Sequence, residues 1–106
     1  MKKITVSFKR SQNYKASRTT YRYFDIAVKN ASDWRTSSEI IDKISDKIND
    51  LMGYEAVQPI GCPWEIGNEY GDALCVDIDD DYIMEQMKEI QHCYKEAKQI
   101  VMKEYR

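Results

Sequence analysis

The stretch CVDIDDDY, residues 75–82, places Asp77, Asp79, Asp80 and Asp81 within five positions. Carboxylates this close offer hard oxygen ligands to a divalent cation, or acceptors for the free N–H groups that open a helix. A calcium loop of EF-hand type needs oxygens at positions 1, 3 and 5, glycine at 6 and glutamate at 12. Counted from Asp77, the first three are present, but position 6 is Tyr82 and position 12 is Lys88. The pattern fits a helix start better. Asp77 falls on the outward side of a strand whose inward residues are Val76 and Ile78. Asp79 or Asp80 then serves as N-cap, and the remaining aspartates sit where the helix dipole favours negative charge.

Other reactive side chains are few. Cys62, Cys75, Cys93 and the single His92 lack a C-x₂-C pair, so they do not form a zinc pattern. His92 and Cys93 are adjacent and leave a helix in different directions, which disfavours a nucleophile–base pair. The glycines match neither a P-loop nor a dinucleotide fingerprint. The expectation is a protein without catalytic residues, metal or cofactor.

Two charged surfaces remain. Lys9, Arg10, Lys15, Arg18 and Arg22 alternate with Tyr14, Tyr21 and Tyr23. Cations neutralise phosphates and tyrosine rings stack on unpaired bases, the combination that single-stranded nucleic-acid binding requires. Glu39, Asp42, Asp46 and Asp50 fall within about 80° of one another on a helix, with Lys43 and Lys47 beside them to form i, i+3 or i, i+4 pairs. Such a carboxylate row can dock in a basic groove. The imbalance extends through the chain. Residues 1–35 hold nine Lys/Arg against Asp25 and Asp33, whereas residues 36–106 hold seven against sixteen Asp/Glu. A charge asymmetry between halves points to nucleic acid or to a charged partner.

The elements that must position these groups follow from periodicity. Ile4, Val6 and Phe8 alternate with polar residues, and Phe24, Ile26 and Val28 share one face of a second strand over about 19–29, opposite Tyr21, Tyr23 and Asp25. The intervening RSQNYKASR predicts a mobile basic hairpin loop. A helix over about 36–52 carries Ile40, Ile44, Ile48 and Leu51, with Thr36 and Glu39 as a capping box and Gly53 as its stop. Every glycine and proline lies between 53 and 71, which predicts turns and short strands near 55–58 and at Trp64–Ile66. A longer strand over 73–78 follows. A last helix over about 80–104 is about 36 Å long. Ile83, Met87, Ile90, Tyr94, Ala97 and Val101 form a heptad-like seam in it, and Met87, Tyr94 and Val101 suggest a homodimer contact.

The sum is one α+β domain over residues 1–106 in the order β-β-α-β-β-α, an antiparallel four-stranded sheet with two helices packed on one face. No apolar run is long enough for a membrane span, and the start alternates instead of forming a signal sequence. Three scattered cysteines fit a reducing, cytoplasmic setting. The expected function is a small non-enzymatic protein-binding domain. Its acidic face would dock on nucleic-acid-handling host machinery, by analogy of size and charge with phage or mobile-element inhibitors such as anti-CRISPR proteins. The alternative is a single-stranded nucleic-acid-binding module built on the basic hairpin.

Overall fold

The computed structural model describes residues 2–77 and 81–105. Ten short elements follow one another: β1 (Thr5–Arg10), β2 (Tyr14–Ala16), β3 (Thr19–Tyr21), β4 (Tyr23–Lys29), α1 (Trp34–Met52), β5 (Val57–Pro59), β6 (Trp64–Ile66), β7 (Glu69–Val76), α2 (Ile83–Met102) and a 3-10 turn, Lys103–Tyr105. The main sheet is antiparallel, in the order β1-β4-β7-β5, with β6 also paired to β7. β5 lies against residues 74–76 of β7 and β6 against residues 69–71, so the two share one edge in tandem. The sheet therefore has five strands in four positions, where the sequence suggested four. β7 also begins four residues earlier than its hydrophobic pattern implied, because Tyr70 and Gly71 pair with Val28 and Ala27.

The period-two pattern of β4 decides the layering. Phe24, Ile26 and Val28 are completely buried on the helix side, together with Leu74 and Val76 of β7 and Val6 of β1. α1 presents Ile40, Ile44 and Ile48 to them, and α2 presents Met87, Ile90 and Ala97. Fully burying one such side chain contributes roughly 1.5–3 kcal/mol, so this interface dominates the stability of the domain. Phe8 completes it by stacking between Phe24 and Tyr94, with centroids 4.6 and 4.2 Å away.

Local chemistry sets the ends of α1. Its N-cap is Asp33, whose side chain accepts a hydrogen bond from the Thr36 N–H at 2.8 Å. The helix thus starts at Trp34, two residues before the expected capping box. Thr36 is inside the first turn, and Glu39 turns to other partners. Gly53 ends the helix at φ 85°, a left-handed conformation that an L side chain rarely adopts. The Asn49 side chain then ties the helix to β5, accepting from Ala56 N and Val57 N and donating to Val57 O.

α2 corrects a second expectation. Met87, Tyr94 and Val101, proposed as a dimer seam, are at most 9% exposed, as are Ile83, Ile90 and Ala97. The heptad spacing is the stripe with which α2 covers the sheet. Its polar groups also shield an edge: Tyr94 Oη and Lys98 Nζ both donate to Val6 O of β1. Burial pushes the Tyr94 hydroxyl up to about 12. Ile78 and the two candidate caps, Asp79 and Asp80, lie outside the described residues. Among the described residues no helix is long and apolar enough to cross a membrane.

The second face of the sheet carries no helix. Trp64 lies across Gly71 there, so closely that a Cβ on residue 71 would sit 2.2 Å from its ring. The interface on the helix side gives a direct expectation. Ile44→Ala should lower the unfolding free energy by about 3 kcal/mol in urea titrations, and a loss below 1 kcal/mol would contradict the layering.

Candidate binding surfaces

Glu39, Asp42, Asp46 and Asp50 all lie on the exposed side of α1, but they do not act as one row. Glu39 accepts from Tyr105 Oη and pairs with Lys43 at 3.0 Å, and Lys43 bridges on to Glu104 at 2.8 Å. The Tyr105 hydroxyl, then Lys43, holds the Glu39 carboxyl below its ordinary value. Hydrogen bonding to Glu104, then Glu39, holds the Lys43 ammonium well above its own. Glu39 is thus neutralised within the molecule.

Asp42, Asp46 and Asp50 have no such partner. Among the described residues, none of the three makes an ion pair, and Lys47 makes none either. Burial raises the Asp42 carboxyl above its ordinary value, and the charges of Asp46 and Asp72 raise it further. Asp72 was not selected from the sequence. It occupies a core-side position of β7 opposite Ile26 and is 6% exposed. Its carboxylate accepts from Gly61 N at 3.1 Å and Ala73 N at 2.8 Å, which pins the turn after β5. That role leaves a buried negative charge behind the surface aspartates.

The basic residues gather elsewhere. β2 and β3 form a small separate hairpin, with Tyr14 opposite Tyr21 and Ser17 in a left-handed turn at φ 57°. The expected loop is therefore ordered as a strand pair. Lys9, Arg10, Lys15 and Arg18 are exposed and Arg22 is half-buried. No ion pair reaches any of these five among the described residues. Arg10 instead approaches Met84 Sδ at 3.9 Å. The Tyr14 and Tyr21 rings are 6.4 Å apart. Tyr23 joins them: burial, then neighbouring Cys75, Tyr21 and Tyr14, raises its hydroxyl above the ordinary value. Folding brings the three tyrosines together, Tyr14 and Tyr21 across the hairpin and Tyr23 at the start of β4.

One ion pair, Lys29–Glu69 at 3.6 Å, joins the basic first 35 residues to the acidic remainder among the described residues. The charge division in the sequence thus persists in the fold.

The aspartate run is only partly described. Asp77 and Asp81 are exposed, and the N-cap of α2 is Tyr82, whose side chain makes no capping bond. Capping by Asp79 or Asp80 lies outside the described residues. Among the described residues no group of three or more His, Cys, Asp or Glu could hold a metal ion. Cys62 is exposed on the turn before β6, and Cys93 is buried with Sγ 3.6 Å from Met52 Sδ. Cys75 is half-buried on β7, and His92 is exposed on α2.

No family model, no curated protein and no solved structure matches the chain.

The Asp42 environment sets a pH dependence. A carboxyl raised on folding favours the native state at low pH and loses that contribution as pH rises through its raised value. The double variant Asp42→Asn/Asp46→Asn should accordingly be more stable than wild type at pH 7, by about 0.5 kcal/mol. The gain should fade as pH falls toward the ordinary aspartate value of 3.8. Thermal melts at pH 7 and pH 3.5 measure both; a destabilised variant at pH 7 would remove the like-charge account.

Proposed function

We propose that this chain is a non-enzymatic binding domain that works in the cytoplasm and docks the outer face of α1 in a basic groove of another protein. One observation carries the reading. Asp42, Asp46 and Asp50 repeat like charge at helical spacing, buried Asp72 adds its charge to that of Asp42, and among the described residues no cation forms an ion pair with them. Like charges at i, i+4 destabilise a helix. A row kept at that cost has its counter-charge elsewhere, and carboxylates about 5–6 Å apart along a helix resemble the spacing of phosphates along a strand. Nucleic-acid-handling enzymes present grooves of that kind. The domain then acts as an inhibitor of the sort that phages and mobile elements deploy against a host. Electrostatic steering gives such contacts a fast, salt-dependent association.

A second reading rests on the hairpin. Five cations that make no ion pair among the described residues, around Tyr14, Tyr21 and Tyr23, suit a single-stranded nucleic acid.

The two readings separate by mutation. With the α1 reading, Asp42→Lys/Asp46→Lys/Asp50→Lys abolishes inhibition of a target nuclease or polymerase found by screening, while circular dichroism remains native. Unchanged inhibition by the folded triple variant would reject this reading. With the hairpin reading, Arg18→Ala/Arg22→Ala weakens binding to labelled oligonucleotides and flattens its salt dependence. Tyr21→Ala and Tyr23→Ala reduce single-stranded binding alone. If wild type shows no oligonucleotide binding at low salt, the hairpin reading is rejected.

A further inference from the structure

A small cleft opens where the end of α1 meets the start of α2. It has a volume of about 230 Å³ and is lined by Tyr54, Asp77, Tyr82, Glu85, Gln86 and Glu89. Tyr54 follows the Gly53 stop of α1, and Tyr82, Glu85, Gln86 and Glu89 descend the first turns of α2. Pockets for drug-sized ligands are usually 300–1,000 Å³, so this one suits a single side chain.

Gln86 points to the chemistry of that side chain. It is 7% exposed, and its Nε2 donates to Tyr54 Oη at 2.9 Å. Its Oε1 is buried and has no hydrogen-bond donor. A buried acceptor left without a donor costs about 1–3 kcal/mol, and here it belongs to the wall of a cleft that supplies carboxylates but no cation. Among the described residues, none of Asp77, Glu85 and Glu89 has an ion pair. The two tyrosines that line it are 44% and 63% exposed. The missing component is a cationic group with several N–H donors that also stacks on aromatic rings. Guanidinium has these properties: it is planar, permanently charged and carries five donors.

We infer that this cleft is an anchor site for an arginine side chain of a protein partner. One N–H of the guanidinium donates to Gln86 Oε1, the others face the carboxylates of Glu85, Glu89 and Asp77, and the plane rests against Tyr54 or Tyr82. The inference deepens the protein-binding reading and rests on it for the source of the arginine. The acidic row of α1 ends at Asp50, four residues before Tyr54 of the cleft wall.

The cleft is testable without the partner. Arginine amide, titrated into the labelled protein by NMR, should shift the Gln86 side-chain amide and the Glu85 and Glu89 backbone signals saturably. A dissociation constant on the order of millimolar is expected for one side chain. Gln86→Met, which keeps the volume and removes the acceptor, should weaken binding about tenfold. Glu85→Gln/Glu89→Gln, at exposed positions, should weaken it several-fold and gives the answer if Gln86→Met does not fold. Non-saturating shifts overturn the site, as does equal binding of the variants. Equal affinity for lysine amide overturns the guanidinium assignment. The Asp42→Lys/Asp46→Lys/Asp50→Lys variant should bind arginine amide as wild type does. Its failure to do so would mark the probe as a general counter-ion, also overturning the site. These outcomes leave the α1 reading to its own inhibition test.

Discussion

The packing of both helices on the same face of one twisted sheet is the constraint from which the other features follow. β4 runs through the middle of that sheet, and its alternate residues Phe24, Ile26 and Val28 are sealed by the isoleucines of α1 and the apolar stripe of α2. Each of these burials is worth roughly 1.5–3 kcal/mol, whereas an exposed ion pair is worth about 0–1 kcal/mol. The core therefore sets the fold, and the surface charges are placed where the core leaves them. The outer side of α1 becomes acidic, and the uncovered sheet face with its hairpin becomes basic and aromatic. Neither surface had to be neutralised for the domain to fold.

Polar groups contribute where the backbone needs partners. Asn49 satisfies three backbone groups at the α1–β5 junction, and Asp72, steadied by the N–H of its neighbour Ala73, holds the turn after β5 through the Gly61 N–H. Asp33 opens α1, and Gly71 clears space for Trp64. Asp72 has a second consequence. Its charge lies near Asp42 and makes ionisation there harder, so a residue that organises a turn also shapes the electrostatics of a surface.

Much of the architecture was legible in the sequence because it depends on period. The alternation around Ile26 and the helical recurrence from Ile40 to Ile48 identify a buried face each, and Gly53 identifies a stop. The heptad spacing of Met87, Tyr94 and Val101 was also visible, but spacing cannot distinguish a stripe facing a sheet from one facing another copy. Capping chemistry was ambiguous for a similar reason. Asp33 and Thr36 are both capable caps, and the choice depends on backbone angles that no pattern encodes. The acidic face was half legible: Asp42, Asp46 and Asp50 share a helix side by geometry alone and the Glu39–Lys43 pair follows from i, i+4 spacing, whereas the Tyr105 and Glu104 contacts that complete it come from the far end of the chain. Asp72, Tyr54 and Gln86 had no local signal at all. Their significance comes from residues 11 to 32 positions away, which only the packed chain brings together.

The central claim is that like charges remain grouped and unneutralised on two surfaces of the folded domain. Thermal stability measured against sodium chloride, from about 10 mM to 0.3 M, tests it most directly. Over that range the screening length shrinks from roughly 30 Å to under 8 Å. If repulsion within each surface outweighs attraction between them, the melting temperature rises as salt is added. A melting temperature that falls over the same range would mean that the acidic and basic residues stabilise the fold by pairing with each other, and would contradict the claim.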